Sequence, residues 1–585
     1  MQETSLRKVI GQEIQQFLTE EAESSGGYSF SQHKITNRIT LFETHTYPQG
    51  KFDSQGNYKY WYDIISPRVD SEIKNIDFDT KDILAYSSRK NDALPCLITN
   101  LKIKEYLRET GQAEEINSAI EEGSGWGNIV WKKVKGGYER VDLSNFYVIN
   151  QTAECLDETP VIERHQFTAP DLRAKMDVWE NVEETMKECN TKTYKTDIGT
   201  QEQDTTVPYY EIYERNGEIS VKDYKEQQGE KAVKGDEDKY ILAKVIGAGT
   251  KGNQSGVEIK HILFCEELKG KKMSDIYKEY HRSRYKKRWW REGIYELLFD
   301  LQVRANQIGN QIAQGLELAS KTVLRSGDKL IVQNILTDIL NGDIIKSEDL
   351  SQVVLRMDAF DQLAAEWNRV LELANDLTNS REVVQGITPT SGTPLGTTQL
   401  LNQNAGKLFD FIREKLAIPF SEIFEKWVIP ELVKDLKGQE ILRLTGDSDM
   451  LERLHKVVVD DWYLQNLVIL PPHDKEMAET FKAEKMEELK KRPELLMKAT
   501  EKMFDGFKPH ISVIITGEQL NLSADLQDLM GFIGLEQNPE RRSAMIEMAA
   551  KKKGLDFGSL PKSEPQPQPQ PAPAPKPIQG EQQAK

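Results

Sequence analysis

From Ile294 the apolar positions Leu298, Leu301, Ala305, Ile308, Ile312, Leu316, Ala319 and Val323 recur three and four residues apart. That spacing puts them in one stripe and predicts a helix over 290–324, entered through a Trp-rich basic segment. A helix of about thirty residues is long enough to cross a domain. The stretch Gly386-Ile-Thr-Pro-Thr-Ser-Gly-Thr-Pro-Leu-Gly-Thr-Thr398 predicts a loop, followed by a second amphipathic helix over 399–416 that Pro419 and Pro430 punctuate. Two struts around a loop describe a mechanical part, and no catalytic constellation is needed to explain them.

Elsewhere the pattern alternates between helix and strand. Helices are predicted over 3–24, 169–190 (opened by Pro170), 358–377, 474–504 and 523–553. Two apolar/polar runs around Gly136-Gly137 predict a hairpin over 128–141. Pro48-Gln-Gly50 marks a turn. Residues 207–265 are strand-rich, with Asn216-Gly217 read as a hairpin turn, and Ile511–Thr516 reads as a buried strand. The tail from Ser563, with its Pro/Gln repeats, cannot build a core and predicts a polyproline-like spacer. The fold class expected is mixed α+β, mainly helical. No period of 20–50 residues indicates a solenoid.

At 585 residues several subdomains are expected. The net charge of −17 argues against wrapping DNA by phosphate neutralisation, which needs clustered Lys and Arg. Cys96, Cys155, Cys189 and Cys265 are widely spaced and predict reduced thiols in a cytosolic product. No apolar run approaches the ~18 residues of a membrane span.

Recognisable catalytic chemistry is absent. Gly247-Ala-Gly249-Thr-Lys251-Gly252 lacks the Gly-Lys-Ser/Thr order of a phosphate loop and reads as a flexible hairpin loop. The eight histidines fall at no metal-ligand spacing, and Asp460-Asp461 beside Trp462 reads as a surface loop rather than a Mg2+ site. No catalytic, cofactor or metal residues are therefore assigned. The exception to the acidic character is 269–291, where Arg284, Lys286, Lys287, Arg288 and Arg291 interleave with Tyr285, Trp289 and Trp290. Such a run fits single-strand nucleic-acid contact, a docking surface for an acidic partner, or a solvated helix entry.

Several segments, taken in order, resemble the portal proteins of tailed bacteriophages, particularly those infecting Bacteroidetes, over about 27–555. They are Tyr58-Lys-Tyr-Trp-Tyr-Asp-Ile-Ile-Ser-Pro67 with Lys74-Asn-Ile-Asp77, Val141-Asp-Leu-Ser-Asn145, Val161-Ile-Glu-Arg-His165, Gly293-Ile-Tyr-Glu-Leu-Leu298 with Gln302 and Asn306, and Glu382-Val-Val-Gln-Gly386 with its loop. The resemblance implies a ring, usually of twelve subunits, at one capsid vertex, through which the terminase motor packages double-stranded DNA and the genome later leaves. Implied partners are further copies of the chain, the terminase large subunit, the major capsid protein or scaffold, a tail adaptor and the passing duplex, with no membrane. The implied location is the virion, after assembly in the host cytoplasm.

On this resemblance 1–24 is an N-terminal helix, 25–165 and 325–385 the wing, 166–194 and 286–324 the stem helices, and 195–285 the clip. The tunnel loop and its following helix take 386–437, the crown and its connection 438–560, and the tail 561–585. Gly386, Thr388, Pro389, Thr390, Ser391, Gly392, Thr393, Pro394 and Gly396 would face the duplex without charge. Arg284, Lys286, Lys287, Arg288, Trp289, Trp290 and Arg291 would meet terminase or the adaptor. A ring of acidic subunits would repel translocating DNA from its wall. The competing readings are another phage head structural or connector protein and, less compatible with the missing motifs, a nucleic-acid-processing enzyme.

Overall fold

In chain order the elements around which the core forms begin with the helices α1 (Ser5–Thr19), α2 (Ser66–Ile76) and α3 (Gln112–Gly125). The strands β1 (Asn128–Val134), β2 (Gly137–Arg140), β3 (Phe146–Val148), β4 (Val161–Thr168), β5 (Tyr209–Ser220), β6 (Tyr240–Lys251), β7 (Val257–Glu267) and β8 (Tyr277–His281) follow. The helices α4 (Phe299–Ser320), α5 (Asp358–Thr378) and α6 (Leu395–Ile423) come next. The computed structural model describes residues 5–23, 27–52, 56–76, 83–87, 92–189, 194–196, 203–205, 209–251, 256–320, 324–326, 350–352, 358–379, 395–436, 438–444, 448–466, 475–504, 507 and 509–513. All lie in one unit, Met1–Ile515; a second unit, Thr516–Lys585, falls outside them. The fold is mixed α+β and mainly helical.

Two antiparallel sheets organise the β part, one of five strands in the order β7-β6-β5-β4-β3 and one of three in the order β8-β1-β2. Helix α1 lays Leu6, Ile10, Ile14 and Phe17 against one face of the larger sheet, where they meet Ile162, Tyr213 and Val245. The spacing of four, four and three is what keeps these side chains in one stripe. The opposite face is closed by Leu172 and Val182 over Ile212, Ile246 and Leu263. The β1–β2 hairpin forms as the Gly136-Gly137 pattern predicts, with both glycines at positive φ (91° and 158°). Helix α6 buries Phe409, Ile412, Leu416, Phe420 and Ile423 against the smaller sheet, Phe420 meeting Trp131 at 4.8 Å between ring centres. Pro419 does not stop α6; the helix runs through it into a π turn, Phe424–Val428, and Pro430 sits in the first turn of the next helix, Ile429–Asp435.

Several local expectations are corrected by tertiary pairing. The helix expected over 169–190 is two short ones, Ala169–Arg173 and Val182–Glu188. Between them the Glu180 N–H, which a continuous helix would need, donates to Leu263 O at 2.8 Å, and Asn181 Nδ2 anchors the turn to Ile262 O at 3.0 Å. Asn216-Gly217 is not a turn but the interior of β5, where a Cβ on Gly217 would collide with Pro160. Gly247 and Gly249 lie inside β6 beside irregularities in its pairing with β7, because Ile259 and Tyr213 fill the space a side chain would need. The strands of the expected 195–285 module pair directly with β4, so no sheet boundary separates that module from 25–165. Asp460 and Asp461 belong to a helix, Ser448–Asn466, and Asp460 pairs with Lys482 at 2.6 Å.

One partly buried carboxyl gives the chain a pH dependence. Burial pushes Glu122 on α3 up to about 7, against the opposing pull of Arg140, whose Nη1 donates to it at 2.6 Å. The folded pKa lies above the unfolded value of 4.5, so its contribution is fully present below about 4.5 and is lost as pH rises through about 7. At about 1.4 kcal/mol per unit, the loss is up to about 3 kcal/mol. Glu122→Gln is expected to flatten the fall in urea midpoint between pH 5 and pH 8. An unchanged fall would contradict the assignment.

Candidate functional site

The helix expected to begin at 290 begins later, as a single turn, Ile294–Leu297, and then α4. The basic–aromatic segment before it is not a helix entry. It runs back across the two sheets, Trp289 N–H donating to Gln151 O at 2.8 Å and Arg291 N–H to Asn128 Oδ1 at 2.9 Å. Arg288, Trp289, Trp290 and Arg291 are all buried. Trp289 Nε1 donates to Glu279 Oε2 at 2.7 Å, and Arg288 Nη2 donates to Glu296 Oε1 at 2.8 Å. Arg291 stacks on the Tyr285 ring at 4.3 Å and donates to Glu154 O at 3.1 Å; its burial lowers its pKa.

The expectation of a seven-residue partner surface is therefore corrected. Only Arg284, Lys286 and Lys287 of that set are exposed among the charged residues, and Lys286 reaches Glu292 at 2.6 Å. The physical reason is that two tryptophans cost more to leave in water than Arg288 costs to bury against Glu296 and Arg291 against the Tyr285 ring and Glu154 O. Arg282 shows the same solution. Its Nε and Nη2 fork onto both oxygens of Glu72, each at 2.6 Å. Burial works to raise Glu279, but hydrogen bonds from His281, Trp289 and the Leu156 N–H hold its carboxyl below the usual range. Burial also depresses His281, whose Nδ1 sits 2.8 Å from Asn128 Oδ1.

Helices α4 and α5 form an antiparallel pair, since Arg304 meets Glu366 at 3.6 Å while Gly315, further along α4, meets Phe360, earlier on α5. Their roots are buried: Leu298, Ala305 and Ile308 pack with Val370 and Ala374. Burial then thins along α4, and Leu316, from the predicted stripe, is 51% exposed. Leu373 and Leu377 on α5 are also exposed.

The root of α4 is tied down by a ladder of side-chain amides. Gln302, Asn306 and Asn310 are four residues apart, and their oxygens accept the N–H groups of Ile64, Tyr62 and Tyr60 at 3.0, 2.8 and 2.8 Å. Gln302 and Asn310 donate back to Tyr62 O at 2.7 Å and Tyr60 O at 3.0 Å. Four helical residues rise about 6.0 Å and two extended residues about 6.6 Å, so a helix face and an extended strand keep register. This is how the segments 58–67 and 293–306, far apart in sequence, come together. Asn306→Ala is expected to cost about 1–3 kcal/mol by leaving the Tyr62 N–H without its acceptor. Hydrogen exchange at Tyr62 should then accelerate while the β1–β2 hairpin is unaffected; equal exchange in both variants would contradict the ladder.

A second cluster had no counterpart in the sequence reading. Lys132 on β1 reaches Glu163 at 2.8 Å and Glu214 at 2.7 Å, and Lys244 on β6 reaches Glu214 at 2.9 Å. Tyr277 on β8 donates to Glu163, and Asn216 Nδ2 donates to Glu214 at 2.9 Å and to the Tyr277 hydroxyl at 2.8 Å. Burial works to raise Glu214, but the two lysines hold it at about 2. Glu163, His165 and Glu214 bring donor atoms within 4.8 Å of one another, a grouping able to bind a cation. The two carboxylates are already balanced by two ammonium groups, so a divalent ion would add charge that nothing offsets. The cluster reads as a seam that joins the sheets. The signal for it was polar side chains at alternate positions of a strand, as at Glu163 and His165.

Of the uncharged loop expected over 386–398, Gly386, Thr388, Pro389, Thr390, Ser391, Gly392, Thr393 and Pro394 lie outside the described residues. Gly396 does not belong to a loop, because α6 starts at Leu395. The expected helix over 523–553 and the Pro/Gln tail also lie outside. No family model matches the sequence, and no curated protein matches it.

Proposed function

We propose that this chain is the subunit of a portal ring, the channel at one capsid vertex through which double-stranded DNA is packaged and released. The observation that carries the reading is the α4–α5 pair, two long antiparallel helices rooted in the core at one end and in contact through Gly315 and Phe360 further out. Support also comes from the amide ladder, which joins two of the segments on which the portal resemblance rests.

The reading moves the stem. Helices α4 and α5 take the role first given to 166–194 and 286–324. The clip role passes from 195–285 to the segment that carries the short strand pair Leu324–Ser326 and Leu350–Gln352. The link between α5 and α6 keeps the duplex-facing role that the portal resemblance implies. Exposed Val303, Leu316, Leu373 and Leu377 then meet neighbouring subunits rather than water. Terminase and the tail adaptor would engage the clip, and the buried segment 288–291 takes no part in docking.

Sedimentation of the purified chain tests this. Twelve copies of a 67.0 kDa chain give a species of about 800 kDa by closed rotational symmetry. A monomer at all concentrations would contradict the proposal.

A further inference from the structure

Phe52, Tyr58 and Tyr60 are 61%, 46% and 53% exposed, and they are not scattered over the surface. The Phe52 and Tyr58 rings meet edge to face at 5.8 Å between centres. A strand bridge between these two residues, and the Lys59 N–H on Lys51 O, set them opposite each other. Tyr58 and Tyr60 meet at 5.2 Å and 69°. Tyr62 follows at the next alternate position and meets Trp367 on α5 at 5.6 Å and 75°. The row ends at a mostly apolar pocket of about 220 Å3 between α4 and α5, lined by Tyr62, Gly309, Ile312, Ala364, Trp367 and Asn368. The amide ladder fixes the row, since Asn306 and Asn310 hold the backbone of Tyr62 and Tyr60.

We propose that this row is a docking groove for a polyproline-II segment, and that its occupant is the sequence Pro565–Pro577 carried by this chain. That sequence places proline at every second position, with glutamine, alanine and one lysine between. The chain runs on from Val513, the last described residue, through 514–564 before it begins, a length able to cross a whole domain. Polyproline II has no internal hydrogen bonds, so it presents proline rings and unpaired carbonyls together. Rings standing edge to face leave slots that a pyrrolidine ring can enter, and aromatic-lined grooves are the usual partners of such segments. The pocket is smaller than the roughly 300 Å3 from which sites for whole small molecules begin, and it suits a single side chain. The Tyr58 and Tyr60 hydroxyls and Trp367 Nε1 have no hydrogen-bond partner among the described residues. They are donors for the segment's carbonyls. A single nucleic-acid strand is disfavoured, because stacked bases need open ring faces and the chain carries a net charge of −17. The segment is already close to its bound shape, so docking orders little chain. The proposal does not rest on the portal reading.

Fluorescence anisotropy with a labelled synthetic peptide of residues 564–577 tests it. The receptor is the full chain with every proline of that sequence changed, Pro565→Ser through Pro577→Ser, so that it carries no competitor. Saturable binding is expected, and adding Tyr58→Ala/Tyr60→Ala to the receptor should weaken it roughly ten-fold or more. Both side chains are exposed, so the unfolding temperature should not change. Tyr240→Ala, which removes an exposed tyrosine from β6, should leave binding as it was. The unaltered chain should bind the peptide more weakly, because its own prolines compete. Absence of binding, equal binding of a serine-substituted peptide, no loss on Tyr58→Ala/Tyr60→Ala, or equal binding by the unaltered chain would overturn the proposal. Binding of an oligothymidylate in place of the peptide would overturn it too.

Discussion

Trp289→Ala is expected to lower the stability of the chain by about 3–5 kcal/mol, the usual cost of emptying a large aromatic site in a core. Lys286→Ala, three residues away, should change it by less than about 0.5 kcal/mol, as exposed substitutions do. The contrast follows from burial. Trp289 is fully buried, touches Phe146, His281 and Trp290, and its Nε1 satisfies Glu279. Its loss leaves a cavity and also removes a donor from a buried carboxylate, and the two costs add. Lys286 loses one solvent-exposed pair with Glu292. Urea denaturation of the two variants measures the difference. Similar small effects would return the segment to the surface and revive it as a docking site.

Glu72→Ala is expected to cost about 3–5 kcal/mol by leaving the Arg282 guanidinium buried without its partner. Glu72 is fully buried on α2, and Arg282 forks onto it with two bonds of equal length. An Arg282→Ala/Glu72→Ala double variant should be less damaged than the sum of the single ones, because removing both partners leaves no orphan charge. Strictly additive losses would show that the pair does not act as a unit. The pair fastens α2 to the segment that carries both tryptophans, so its loss should also expose Trp fluorescence to quenching.

Much of the architecture was legible where one element's own pattern sufficed. The stripe of α1, the β1–β2 hairpin with its two glycines, and α5, expected over 358–377 and found as Asp358–Thr378, all depend on short-range periodicity. The misreadings arose where a distant partner decided the outcome. Asn216-Gly217 carries a hairpin signature, yet β4 and β6 flank it on both sides and keep the strand straight through it. The 169–190 helix yielded to the carbonyls of the edge strand β7. The basic run looked like surface because charge is normally solvated; its acidic partners, Glu72, Glu279 and Glu296, are scattered over more than 200 residues. The amide ladder was half legible, since Gln302 and Asn306 stood out while the third rung, Asn310, did not. No local rule states that a helix face can serve as the partner of an extended strand.

The central claim is that α4 and α5 form the wall of a channel, and electron microscopy of the purified chain tests it most directly. The account predicts rings of about twelve subunits around a central hole, with the α4–α5 pairs lining that hole. Compact single particles, or rings in which those helices lie on the outer rim, would contradict it.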